Sequence, residues 1–154
     1  MKQTDIVILT HLRQQGRVPL TALSRKTKLP VSTIYDRLKL HLHKGAILRY
    51  TTLLNFEKIG YATRAYILLA VDAADKEKLF SHLKNHPNVN SLFRINNSWN
   101  VLMECVFKDM IALETFIEQL ESAFKVKQKQ VHYVLDEVMR EGFLHDPKLA
   151  PSLL

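Results

Sequence analysis

The sequence predicts an α+β protein in two parts: three short helices with an extended stretch, then strands alternating with helices. Three observations carry that prediction. Apolar residues recur every three or four positions as far as residue 44. Beyond Gly60, runs rich in β-branched and aromatic residues alternate with helical patterns. The charge divides at the same place: residues 1–60 hold eleven Lys+Arg against three Asp+Glu, net +8, and residues 61–154 hold eleven against twelve, net −1.

Each element has a local reason. Asp5 is placed as the cap of a first helix with Ile6, Leu9 and Leu12 at helical spacing, stopped at Gly16. Leu20 and Leu23 outline a second short helix, and Leu29-Pro30 breaks it. A third helix starts at or just before Ser32, with Ile34, Leu38 and Leu42 on one side, and ends at Lys44-Gly45. Residues 46–53 read as extended, and residues 55–60 as a hinge ending in glycine. Strands are expected at 64–71, 89–95, 99–107 and 126–135, with helices at 75–85 and from a cap at Asp109. Trp99, Val101, Met103, Cys105 and Phe107 fall on one face of the third strand, and Asn96, Asn97 and Ser98 make the turn before it. The resulting order is βαββαβ, the ferredoxin-like arrangement: one antiparallel sheet with both helices on one side. The open side needs a cover, and a second copy of the chain is the simplest one. The expected domains are residues 1–54, a hinge at 55–60, a body at 61–135 and a tail at 136–154 left without assignment.

Composition removes several classes. With 47% hydrophobic and 24% charged residues, a 154-residue chain is globular rather than disordered. The longest purely apolar run, residues 65–71, is far short of the ~20 residues a membrane span needs. The apolar run at 6–9 is too short for a secretory signal. A lone cysteine, Cys105, excludes an internal disulfide and a cysteine-cluster zinc site. The cytoplasm is the expected location.

Three helices with a tight turn before the third, followed by a hairpin, make a winged helix-turn-helix, whose third helix enters the DNA major groove. At 100° per residue, Ile34, Leu38 and His41 point toward the other helices. Ser32, Asp36 and Lys39 point away, with Thr33 and Tyr35 on the flanks, and such side chains can meet base edges. Arg25, Lys26 and Lys28 before the helix, Arg37 along it and Arg49 in the hairpin suit phosphate contacts. Double-stranded DNA is therefore the expected partner, and a solvated amphipathic helix with no partner is the plainer alternative. Asp36 opposes phosphate; it would accept from a cytosine amino group or pair with a nearby cation.

These same pieces resemble the Lrp/AsnC, or feast/famine, family of transcription regulators. The resemblance lies in residues 5–9, Gly16-Arg17, residues 20–29, 32–39, 45–50 and the hinge, and it covers about residues 3–135. It implies a sequence-specific DNA-binding regulator that dimerises through the sheets of its C-terminal domains, assembles further in many members, and in many members binds an amino acid or similar effector. Two departures stand out. Asn97 and Asn100 occupy the positions of a usual Gly-x-x-Asp, so Asn100 keeps hydrogen-bonding capacity without negative charge. His41 and Leu42 stand where the family tends to have Leu and an acidic residue; His41 reads as a satisfied core or boundary group. Residues 96–100, with Trp99 beside the turn, are the candidate effector contacts.

Other chemistries find little support. His82 and His86 share a helical face, but no further ligand at suitable spacing completes a metal site. No phosphate-cradling glycine loop and no acid–base or nucleophile set stands out, so neither a cofactor nor catalysis is expected. Cys105 reads as an inert packed thiol. The rival to a DNA-binding regulator is a metabolite-sensing or protein-interaction module without specific DNA readout.

Overall fold

A computed structural model describes residues 2–148. The chain divides into two compact units: a head reaching to Leu53, joined by the stretch that starts at Val138, and a body of Leu54–Glu137.

In the head, helix α1 spans Gln3–Gln14, α2 Leu20–Thr27 and α3 Val31–His43. Pro19 and Pro30 precede α2 and α3 with φ of −62° and −58°, close to the helical value their rings enforce. Lys28 ends α2 in the left-handed region at φ 57°. The turn into α3 is fastened by the Ser24 hydroxyl, which donates to the Leu29 carbonyl at 2.6 Å. Ile8, Val18, Leu23, Ile34 and Leu38 form the head's core, with Leu12, Leu20, Leu29 and Ile47 packed around them. The stretch from Val138 meets α1 through Arg13, whose guanidinium donates to Glu141 Oε2 at 2.7 Å and to the carbonyls of Glu141 and Phe143 at 2.9 and 3.1 Å.

Four expectations change here. Asp5 does not cap α1; Lys2 holds the cap position and Asp5 stands one turn inside, its carboxylate accepting from the Lys2 amide at 2.9 Å. Residues 46–53 form no strand, so the hairpin wing is absent among the described residues. A β-prone run becomes a strand only beside a partner, and here Ile47 bonds back to the His41 carbonyl instead, leaving Leu48, Tyr50 and Leu53 exposed. Leu42 is exposed, because one residue's 100° rotation hands the inward place to His41. Trp99 precedes the third strand rather than standing in it.

The body runs β1 Thr63–Val71, α4 Lys76–Lys84, β2 Val89–Arg94, β3 Val101–Phe107, α5 Met110–Ala123 and β4 Val126–Tyr133. Before it, Glu57–Ile59 makes one 3-10 turn, closed by Gly60 at φ 87°, where a side chain would be strained. The sheet order is β2-β3-β1-β4, antiparallel throughout, with Ile67 opposite Met103 on one side and Val131 on the other. This is the ferredoxin-like βαββαβ topology, so the α+β fold stands. Alternation puts Ala65, Ile67, Leu69, Met103 and Cys105 under α4 and α5, where they meet Leu79, Leu83, Leu113, Phe116 and Leu120. Asp109 caps α5, accepting from the Ala112 amide at 2.8 Å. The opposite face carries Tyr66, Leu68, Phe93 and Leu102 by the same register; Phe93 is 51% exposed.

Candidate nucleic-acid interface and effector turn

Helix α3 sorts its residues as its spacing requires. Ile34, Leu38 and His41 are buried, while Ser32, Tyr35, Asp36 and Lys39 are exposed and Thr33 is half-buried. Arg25, Lys26 and Lys28, around the end of α2, are exposed, and so is Arg49 beyond α3. The head thus presents a polar helix face with short hydroxyls, a phenol, a carboxylate and a cation, bordered by further cations. A bidentate or charge-assisted donor on such a face can meet a base edge or a phosphate. Backbone bonds to the Pro19 and Pro30 carbonyls, and the Ser24 hydroxyl's bond to the Leu29 carbonyl, fix the two helices that carry it.

Arg37 departs from the set. Its guanidinium pairs with Asp5 across the α1–α3 contact rather than standing free for phosphate. Asp5 itself is 5% exposed, with Oδ2 taking the Lys2 amide and Oδ1 facing both Arg37 and His41. His41 Nε2 lies 3.3 Å from that oxygen. Burial pushes the Asp5 carboxyl up, but the Lys2 amide, Arg37 and His41 outweigh it and hold Asp5 below its ordinary value. Sequence reasoning missed this cluster. Its signal was present: Asp5 precedes Ile8, Leu9 and Leu12 at 3, 4 and 7 residues and so shares their inward face.

The turn before β3 has a defined conformation. Asn97 takes φ 63°, the left-handed angle that asparagine tolerates. Asn96, Asn97 and Ser98 are exposed, and Trp99 and Asn100 are half-buried. Asn100 is tied to the sheet: its Oδ1 accepts from the Val71 amide at 2.7 Å and its own amide donates to the Leu69 carbonyl at 2.9 Å. It spends its acceptor on the end of β1 and brings no charge. The turn residues do not line the open hollow of about 750 Å³ that lies beside Glu77, His82, Asn85 and His86.

Comparison with known proteins decides the family. The model of the Lrp/AsnC ligand binding domain matches residues 64–143. The chain belongs to the Lrp/AsnC family. Among curated relatives, the HTH-type transcriptional regulator FL11 of Pyrococcus furiosus is 28% identical over 131 residues, covering 85% of this chain and 87% of its own length. Among solved structures, a transcriptional regulator from Neisseria meningitidis in complex with L-methionine has a TM-score of 0.82 and 28% identity, with 91% of this chain and 93% of that one covered. Escherichia coli AsnC matches in fold with a TM-score of 0.82 at 16% identity, covering 94% and 98%. This Lrp/AsnC chain is accordingly a transcription regulator with a helix-turn-helix head.

The remaining motifs fall into structural places. His82 and His86 have ring centroids 6.1 Å apart, and His86 lies tilted against Phe116 with centroids 4.5 Å apart. Burial lowers the His86 imidazole below its ordinary value, with the neighbouring His82 adding to the effect. No group of three His, Cys, Asp or Glu poised for a metal occurs among the described residues. Cys105 is fully buried, and burial with the nearby Glu104 charge pushes its thiol up to about 12. No helix among the described residues is long and apolar enough to cross a membrane.

Proposed function

We propose that this Lrp/AsnC regulator reads double-stranded DNA with the exposed face of α3. The observation that carries the reading is the clean division of that helix: Ile34, Leu38 and His41 in the core, Ser32, Tyr35, Asp36 and Lys39 outside. Ser32, Thr33, Tyr35, Asp36 and Lys39 would contact base edges in the major groove. Arg25, Lys26, Lys28 and Arg49 would take phosphates and set the register. Arg37 is left out of that resting set because Asp5 occupies it.

The body joins two copies through the open sheet face. The half-exposed Phe93 and its row partners Leu102 and Leu68 supply an apolar centre, which a second copy covers in isologous fashion. Two heads then meet half-sites about one helical turn apart. The protein works where the DNA is, in the cytoplasm, and catalysis is no part of this reading.

Residues 96–100 remain the proposed effector contacts. Asn100 lacks the charge that would meet an ammonium group and is already bonded to Val71, which favours a neutral effector, or one held by its carboxylate, over a zwitterion bound through its amino end.

The test is fluorescence anisotropy of a labelled duplex at several salt concentrations. Affinity should fall steeply with salt, and Lys26→Ala or Lys28→Ala should weaken binding and flatten the slope by about 0.9 for each phosphate left unneutralised. Affinity that ignores salt would favour a protein-interaction or metabolite-sensing module instead.

A further inference from the structure

Asp5 on α1 forms a buried charge cluster with Arg37 and His41 on α3, and the DNA contacts proposed above make no use of it. Its stoichiometry is uneven. Asp5 Oδ2 is occupied by the Lys2 amide, so Oδ1 alone faces both cationic groups. Arg37 reaches it through one terminal nitrogen, and the buried Arg37 Nε has no hydrogen-bond partner. His41 Nε2 is also buried without a hydrogen bond, although the carboxylate oxygen is only 3.3 Å away. The side chains of His41 and Asp5 are each 7% exposed, whereas that of Arg37 is 23% exposed.

We infer that His41 gates Arg37 as a conditional phosphate contact: a neutral His41 leaves Arg37 on Asp5, and a protonated His41 takes the carboxylate and releases Arg37 to the nucleic-acid face of α3. The inference rests on the DNA-binding reading above. The physical argument is a competition for one oxygen. A proton taken from solvent onto the imidazole places an N–H cation against Asp5 Oδ1, where an incompletely bonded nitrogen now sits. Both cations would then share that one oxygen, and they repel each other at short range with little water between. The one that leaves is the one with a route out. His41 is enclosed and its carbonyl is held by the Ile47 amide at 3.0 Å, while Arg37 lies on the helix flank, partly open to solvent and on a long, flexible stem.

Asp5 faces His41 from α1 and Arg37 from the preceding turn of α3. The segment after α3 carries Lys44, exposed, and touches His41 by the Ile47 backbone alone among the bonds described. On α2, Lys26 acts on the half-buried His11. His43 is a second, exposed imidazole on α3, so it must be controlled.

The experiment uses the full chain and a labelled duplex of mixed sequence, since a phosphate contact acts on any duplex. The slope of log K against log salt is measured at about pH 6 and about pH 8, on either side of the imidazole range. In a His43→Gln background the slope should steepen by about 0.9 per head at the lower pH. His41→Leu should show the shallow slope at both pH values, Asp5→Asn the steep slope at both, and Arg37→Gln the shallow slope at both. Equal slopes at the two pH values, or a pH response that survives His41→Leu, overturns the gate. Nuclear magnetic resonance of the free full chain gives a second readout: the Arg37 Nε–H chemical shift should differ between the same two pH values in the unmutated chain and not in His41→Leu, and a shift that is the same at both pH values, or a change that survives His41→Leu, overturns the gate as well. Duplex binding that is absent at both pH values sinks the DNA reading itself, and the gate with it.

Discussion

Ile34→Ala tests how the head holds its DNA-reading face. Ile34 is fully buried on α3, packed with Ile8, Val18, Leu23 and Leu38. Truncating a buried isoleucine to alanine costs about 2–5 kcal/mol, combining lost transfer energy with the cavity left behind. A unit of this size, reaching to Leu53, holds on the order of 3–8 kcal/mol in all. A head at ~5 kcal/mol that loses ~3.5 passes from about one unfolded molecule in 5,000 to about one in 14. The body has its own core, built on Ile67, Leu69, Met103 and Leu113, which Ile34 does not enter. The assay is urea unfolding followed by two signals: far-ultraviolet dichroism for the helices, and the fluorescence of Trp99, the single tryptophan, which stands in the body. The variant should lose part of its helical signal at low urea, with the Trp99 transition unmoved, and duplex binding should fall with the helical signal. Both signals keeping their unmutated midpoints, with DNA affinity unchanged, would refute the claim that this small core holds the reading helix.

Three further outcomes follow from the body. Glu104 is buried, with Oε1 accepting from Arg64 at 2.6 Å and Oε2 from Asn90 and Ser91 at 2.7 and 3.0 Å. Burial pushes its carboxyl up, yet these donors outweigh burial and hold it below the ordinary value. A depressed carboxyl contributes stability above about pH 4.3 and loses it as pH falls through the lower folded value; Glu104→Gln should remove that acid limb from stability measured by urea at each pH, and should destabilise the neutral form because Arg64 loses a partner. Cys105, with its thiol pushed up to about 12, should resist a thiol reagent under mildly alkaline conditions in the folded chain and react promptly in denaturant, as followed by mass spectrometry. Phe93→Asp should shift sedimentation from a dimer toward the 17.9 kDa monomer, since it sets a charge at the centre of the proposed sheet interface; an unchanged dimer would remove that face from the contact.

The legible parts were those fixed by local pattern. The inward set of α3, the Asp109 cap, the left-handed Asn97 and the ferredoxin-like order all follow from spacing or backbone chemistry within a few residues. The missed parts depend on distant partners. Asp5 looks like a cap because carboxylates favour helix starts, and only Arg37, 32 residues on, makes it a buried ion-pair partner. The wing reads as strand because Ile47, Leu48 and Tyr50 suit a sheet, but residues 46–53 find no neighbour to pair with. Trp99 continues the alternation of β3 on paper, whereas Asn100 binds to Leu69 and Val71 and so begins the strand after it. The Arg13–Glu141 contact joins residues 128 apart, beyond any local signal.

Whether two heads read DNA as a pair is decided by selecting bound fragments from random duplex with the purified full chain and weighing the complex alongside. The expected outcome is enrichment of a two-fold symmetric site, its half-sites about 10 base pairs apart from centre to centre, occupied by an even number of chains. A pool that stays random after repeated rounds, or a single chain bound to an asymmetric site, would contradict it.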